Sequence, residues 1–60
     1  MIRSKTIAKV HMGAEEIDVR QVWAEGIELV SMRKDGRGFV FEPRYLDGVI
    51  EALQTYRRIL

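Results

Sequence analysis

His11 is the only histidine in this 60-residue chain, and cysteine is absent. Catalysis by histidine needs a serine, cysteine or carboxylate held within hydrogen-bond reach, and none stands at a recognisable motif spacing from His11. The residue reads as an exposed strand position, with a phosphate contact as its functional alternative. Glu15, Glu16 and Asp18 are the densest carboxylates, but neighbouring strand residues point to opposite faces, and no glycine-anchored calcium loop surrounds them. Their expected role is cross-strand pairing with Lys9, His11 and Arg33. Arg33-Lys34-Asp35-Gly36-Arg37-Gly38 lacks the spaced glycines and following Lys-Ser or Lys-Thr of a phosphate loop, and reads as turn chemistry. No catalytic residue, metal site or cofactor is expected.

What remains with chemical potential is a set of basic side chains: Lys5, Lys9, Arg20, Arg33 and Arg37. A formal net charge of +1 and a pI of about 8.2 are too mild to argue for nucleic acid by themselves, so placement must decide. Asp35-Gly36 between two apolar runs predicts a two-residue hairpin loop of type I′. That loop pairs Lys34 with Arg37, Met32 with Phe39 and Val30 with Phe41. Gly13-Ala14 suits a type II′ turn that sets Val10 opposite Ile17, Ala8 opposite Val19, Lys9 opposite Asp18 and Ile7 opposite Arg20. Glu25-Gly26 supplies a third turn, although glutamate suits a positive-φ position poorly and a longer loop is an alternative.

Taken together, the turns place Ala8, Val10, Ile17, Val19, Trp23, Val30, Met32, Phe39 and Phe41 on one face. Lys5, Lys9, Arg20 and Arg33 fall on the other with Glu16 and Asp18, and Arg37 lies at the hairpin tip nearby. A one-residue slip would reverse a whole strand, so the agreement between three turns is stronger than any one of them. The predicted strands are Lys5–Met12, Glu16–Ala24, Ile27–Lys34 and Gly38–Phe41, with Met1–Ser4 frayed. From Pro43 to about Arg58 the apolar residues Leu46, Val49, Ile50, Leu53 and Tyr56 recur at helical spacing. The expected fold is a single α+β domain over residues 1–60: a four-stranded antiparallel meander, then one C-terminal helix packed on the apolar sheet face.

A chain this short buries little surface alone, and its sheet edges and part of its helix would remain uncovered, so a homodimer is expected. No apolar run approaches the roughly 20 residues of a membrane-spanning helix, and there is no signal-peptide pattern. Together with the lack of cysteine, this leads to the expectation of a cytoplasmic protein without a membrane partner. The open basic face suits the phosphates of single-stranded nucleic acid, with little sequence specificity. A solvated face with compensating ion pairs fits the same composition. The alternative function is a dimeric protein-interaction module or small regulator whose open face holds a polypeptide.

Ile17-Asp18-Val19-Arg20, Gly26, Arg33, Arg37-Gly38 and Phe39-Val40-Phe41, followed by a helix bearing Leu46, Val49, Ile50 and Leu53, resemble the transcriptional positive cofactor four family. The resemblance covers about Glu16 to Leu60. It implies a curved four-stranded sheet, dimerisation through the C-terminal helices, binding of single-stranded or melted DNA on the strand side, and coactivator-like transcription regulation. The family's basic positions carry over to Arg20, Arg33 and Arg37. Glu25 and Ile27 stand where lysines are expected, and Asp35-Gly36 replaces a longer loop containing an aromatic residue.

Overall fold

Three two-residue turns set the register of the sheet. Gly13 has φ of +63°, and each of the other two loops has positive φ at both central residues: Glu25 and Gly26 at +53° and +78°, Asp35 and Gly36 at +53° and +78°. These are the type I′ values whose twist matches that of the flanking strands. In the computed structural model, which describes all 60 residues, they join β1 (Ile2–Met12), β2 (Glu15–Ala24), β3 (Ile27–Lys34) and β4 (Arg37–Phe41). The strands form one antiparallel sheet in chain order. A short 3-10 turn, Pro43–Tyr45, leads into α1 (Leu46–Arg58).

No longer loop forms at Glu25-Gly26; the glutamate takes the left-handed conformation itself. That conformation costs a residue with a Cβ roughly 1–2 kcal/mol, less for asparagine, whose short amide bonds locally. Glu25→Asn is therefore expected to stabilise the protein by about 1 kcal/mol, which for a domain this small raises the melting temperature by about 4–8 °C. A thermal melt by circular dichroism measures it, and an unchanged midpoint would contradict the strain at Glu25.

The pairings of β2 with β3 and of β3 with β4 are those the turns demand, including Val19 with Met32, Val30 with Phe41 and Met32 with Phe39. Val10 pairs with Ile17, Ala8 with Val19 and Lys9 with Asp18, again as expected. β1 departs from expectation before Ala8. A β-bulge between Thr6 and Ala8 leaves Ile7 as the extra residue, so Thr6, not Ile7, lies opposite Arg20, and Lys5 lies opposite Gln21. Two consecutive residues of a bulge share one partner and can face the same side. Ile7 accordingly joins Val19, Val30 and Leu46 in a recess on the apolar face. Ile2, Arg3 and Ser4, expected to fray, instead pair with Ala24, Trp23 and Val22.

The helix also departs from expectation. Glu42 is extended, at φ −75° and ψ 147°, and Pro43 follows it at the start of the 3-10 turn, so the α-helix proper begins three residues late. The first side chain of α1, Leu46, sits in the recess with Ile7, Val19, Val30 and Pro43. Beyond it the axis leaves the sheet, because the packing of α1 is with the 3-10 turn and not along any strand. Leu53 and Tyr56 are 61% and 62% exposed, and no residue of the chain is fully buried. The helix therefore touches the sheet of its own chain only at its start. The apolar face, with the stacked rings of Phe39 and Phe41 at 5.7 Å, lies half open. No helix is long and apolar enough to cross a membrane.

Candidate nucleic-acid interface

The side chains facing away from the apolar face divide into two regions. Ile2, Ala24 and Ile27 are aligned across β1, β2 and β3, and Ser4, Val22 and Leu29 form the next row, giving a largely apolar end. Thr6, Arg20 and Ser31 make the third row. Past it, Lys9 faces Asp18 and His11 faces Glu16, while Arg33 faces Gly38 on β4. Strands lie about 4.8 Å apart with same-face residues at every second position, so long side chains from three strands can reach one spot.

They do so in an open recess of about 330 Å³ lined by Lys9, Glu16, Asp18, Arg20, Arg33 and Lys34, with no apolar side chain in its wall. Four cations thus meet two carboxylates. Lys9 Nζ donates to Glu16 Oε1 at 2.9 Å, and His11 Nδ1 lies 3.4 Å from Glu16 Oε2. The hydrogen bond that Lys9 donates to Glu16, then the charge of Glu16 and that of Asp18, hold the Lys9 ammonium above its usual pKa of 10.5, against an opposing effect of desolvation. Arg20 Nη2 donates to the neutral Ser4 Oγ at 2.6 Å. Arg20, Arg33 and Lys34 have no carboxylate within salt-bridge distance, and the expected Asp18–Arg33 pair is not formed.

Of the five basic residues singled out in the sequence, Lys9, Arg20 and Arg33 come together here. Lys5 does not. The bulge at Ile7 reverses the alternation, and Lys5, opposite Gln21, shares the apolar face. Arg37 is also turned away: paired with Lys34 two positions from Met32 and Phe39, it reaches across the apolar side to Glu15 Oε1 at 3.3 Å. Glu15 and Glu16 accordingly point to opposite faces and serve different partners. Lys34 was missed as a recess residue; strict alternation puts it on the apolar face, but at the hairpin tip its long chain borders both sides.

Neither Trp23 nor Tyr45, whose rings have the flat faces on which bases can stack, lines the recess. Trp23 is on the apolar side, where Arg3 crosses its ring at 5.8 Å, and Tyr45 has Arg44 over its ring at 4.9 Å. Comparison with protein-family models, curated proteins and solved structures gives no match. The functional reading therefore stands on the geometry of the chain.

Proposed function

We propose that this chain is a small, non-enzymatic protein that binds single-stranded nucleic acid as a homodimer, with low sequence specificity, in the manner of the coactivator-like family it resembles. The observation that carries the reading is the recess on the open face, in which three of four cations lack a carboxylate partner. Such groups keep their attraction for an incoming anion, and Arg33, exposed at the rim, can meet a phosphate without first breaking an ion pair. The neighbouring apolar rows, with Ile2 and Ile27 at 74% and 53% exposure, offer bases a surface while phosphates lie over the charged end. Apolar contact without hydrogen-bond readout favours no particular base.

The interface comprises Lys9, Arg20, Arg33 and Lys34. Titration of labelled single-stranded and double-stranded oligonucleotides at two salt concentrations tests it. Each phosphate contact contributes about 0.7 to the slope of log affinity against log salt for a single strand. The Arg20/Arg33 double-alanine variant should thus weaken binding to oligonucleotides of many sequences and flatten the slope by about 1.4, with folding retained. Unchanged binding by the folded variant rejects this face. Absence of binding by the unaltered protein at low salt favours the protein-interaction module, for which the exposed apolar rows would be the contact.

A further inference from the structure

Glu15, Glu16, Asp18 and Glu28 are the carboxylates that project from the strands. All but one have a partner. Arg37 Nη2 lies 3.3 Å from Glu15 Oε1, Lys9 donates to Glu16 at 2.9 Å, and Gln21 Nε2 donates to Glu28 Oε2 at 3.1 Å. Asp18 is the exception, although it stands between two cations. Lys9 is aligned with it on β1, and the register that pairs Val19 with Met32 sets Arg33 beside it on β3. Lys9 has turned to Glu16, Arg33 has not closed on the short aspartate side chain, and Asp18 meets no donor of its own chain. Its carboxylate stands half-buried in the wall of the charged recess.

An ionised carboxylate accepts hydrogen bonds, donates none and repels phosphate. In a recess that served phosphates alone, Asp18 would only weaken the site. A ligand that suits it carries a donor close to its phosphate. The ribose 2′-hydroxyl is such a donor, and acidic residues hold that hydroxyl in dinucleotide-binding folds. We propose that the single strand held in the recess is RNA, with Asp18 accepting a hydrogen bond from a 2′-hydroxyl while Arg20 and Arg33 take the adjoining phosphates. This rests on the nucleic-acid reading above and adds the choice of sugar. Same-face residues along a strand lie about 7 Å apart and neighbouring strands about 4.8 Å, so the three side chains can meet one nucleotide and its neighbour's phosphate. Beyond Arg33 the row ends at Gly38, where no side chain rises against the sugar. DNA lacks the hydroxyl and leaves Asp18 facing phosphate without a donor; a site that hydrogen-bonds a hydroxyl discriminates in this way against the analogue lacking it.

The test titrates the protein with three oligonucleotides of equal length: oligouridine, its 2′-deoxy form and its 2′-fluoro form. Fluorine keeps the sugar pucker of RNA but cannot donate. A hydrogen bond to a charged acceptor is worth about tenfold or more in affinity, so oligouridine should bind at least about tenfold more tightly than either of the others. Asp18→Ala should bind all three alike, because it removes the acceptor, and Asp18→Asn, whose amide oxygen still accepts, should keep part of the preference. The 2′-fluoro comparison uses the unaltered protein and decides the matter even where Asp18→Ala fails to fold. Binding of the 2′-fluoro strand as tightly as oligouridine overturns the proposal, as does a preference for RNA that survives in folded Asp18→Ala. Equal binding of all three by the unaltered protein overturns the choice of sugar and leaves the proposed function standing, whereas absence of binding by all three overturns both.

Discussion

Gly38→Ala should destabilise the protein by about 3 kcal/mol or more, far beyond the effect of the same change at Gly36. At Gly36, φ is +78° and an added Cβ would meet nothing, so the cost is the strain of a left-handed alanine, roughly 1–2 kcal/mol. Gly38 has φ of +105°, and its Cβ would fall on the carbonyl oxygen of Met32 and against the Cα of Arg33. Both obstacles are backbone, so relief requires moving β4 away from β3. That separation would disturb the pairs on either side, Lys34 with Arg37 and Met32 with Phe39, in a strand of only five residues. For a domain of this size about 3 kcal/mol corresponds to a fall in melting temperature of roughly 12–24 °C. Thermal melts of the two alanine variants side by side measure the difference; equal midpoints would mean that β4 yields freely. Gly48→Ala serves as the opposing control, since this helical glycine has open space around it and alanine is favoured there by about 1 kcal/mol.

The same glycines explain why so much of the sheet could be read in advance. Gly13, Gly26 and Gly36 each sit where a two-residue turn needs positive φ, and once a turn is placed, the side-chain period of two fixes both faces up to the next irregularity. The irregularity is where the reading stopped. In Lys5-Thr6-Ile7-Ala8, either phase of the alternation is acceptable residue by residue, and only the β2 partner shows that one residue is extra. Lys5 was assigned to the wrong face for that reason. Arg37 needs no such partner: the register from Asp35-Gly36 aligns it with Phe39 and Phe41 on the apolar face, although it lies near the hairpin tip.

The helix was legible in position but not in direction. The spacing from Leu46 to Tyr56 states that one side is to be covered, and is silent about which surface covers it. In a longer chain the nearest apolar surface is the usual answer. Here Glu42 and Pro43 set an extended exit from β4 followed by a 3-10 turn, and only the start of α1 reaches the nearest surface, with Leu46 lining the recess and Val49 half-buried. The charged recess was legible to the extent that Lys9, Arg20 and Arg33 lie after the bulge or away from β1, where strict alternation holds.

Leu53→Asp is expected to weaken self-association at least a hundredfold. Leu53 lies on the apolar side of α1, two turns beyond Leu46, which lines the recess on its own sheet. Removing a leucine from a buried contact loses about 1.5–3 kcal/mol, and a two-fold interface contains the position twice. Desolvation of the introduced carboxylates adds to that, and every 1.4 kcal/mol is about tenfold in affinity. Gln54→Asp adds the same charge one residue away on the polar side and should leave association intact. Sedimentation equilibrium of both variants over a range of micromolar concentrations separates them. Because the separate chain buries no residue fully, the dissociated Leu53→Asp protein should also lose cooperative thermal unfolding, whereas Gln54→Asp should keep it. Equal association by the two variants would place the interface away from α1. If Leu53→Asp dissociates as expected, its oligonucleotide affinity should fall although no recess residue has changed, since a separate chain without a cooperative fold no longer holds the recess together and also lacks the avidity of two linked recesses on one strand.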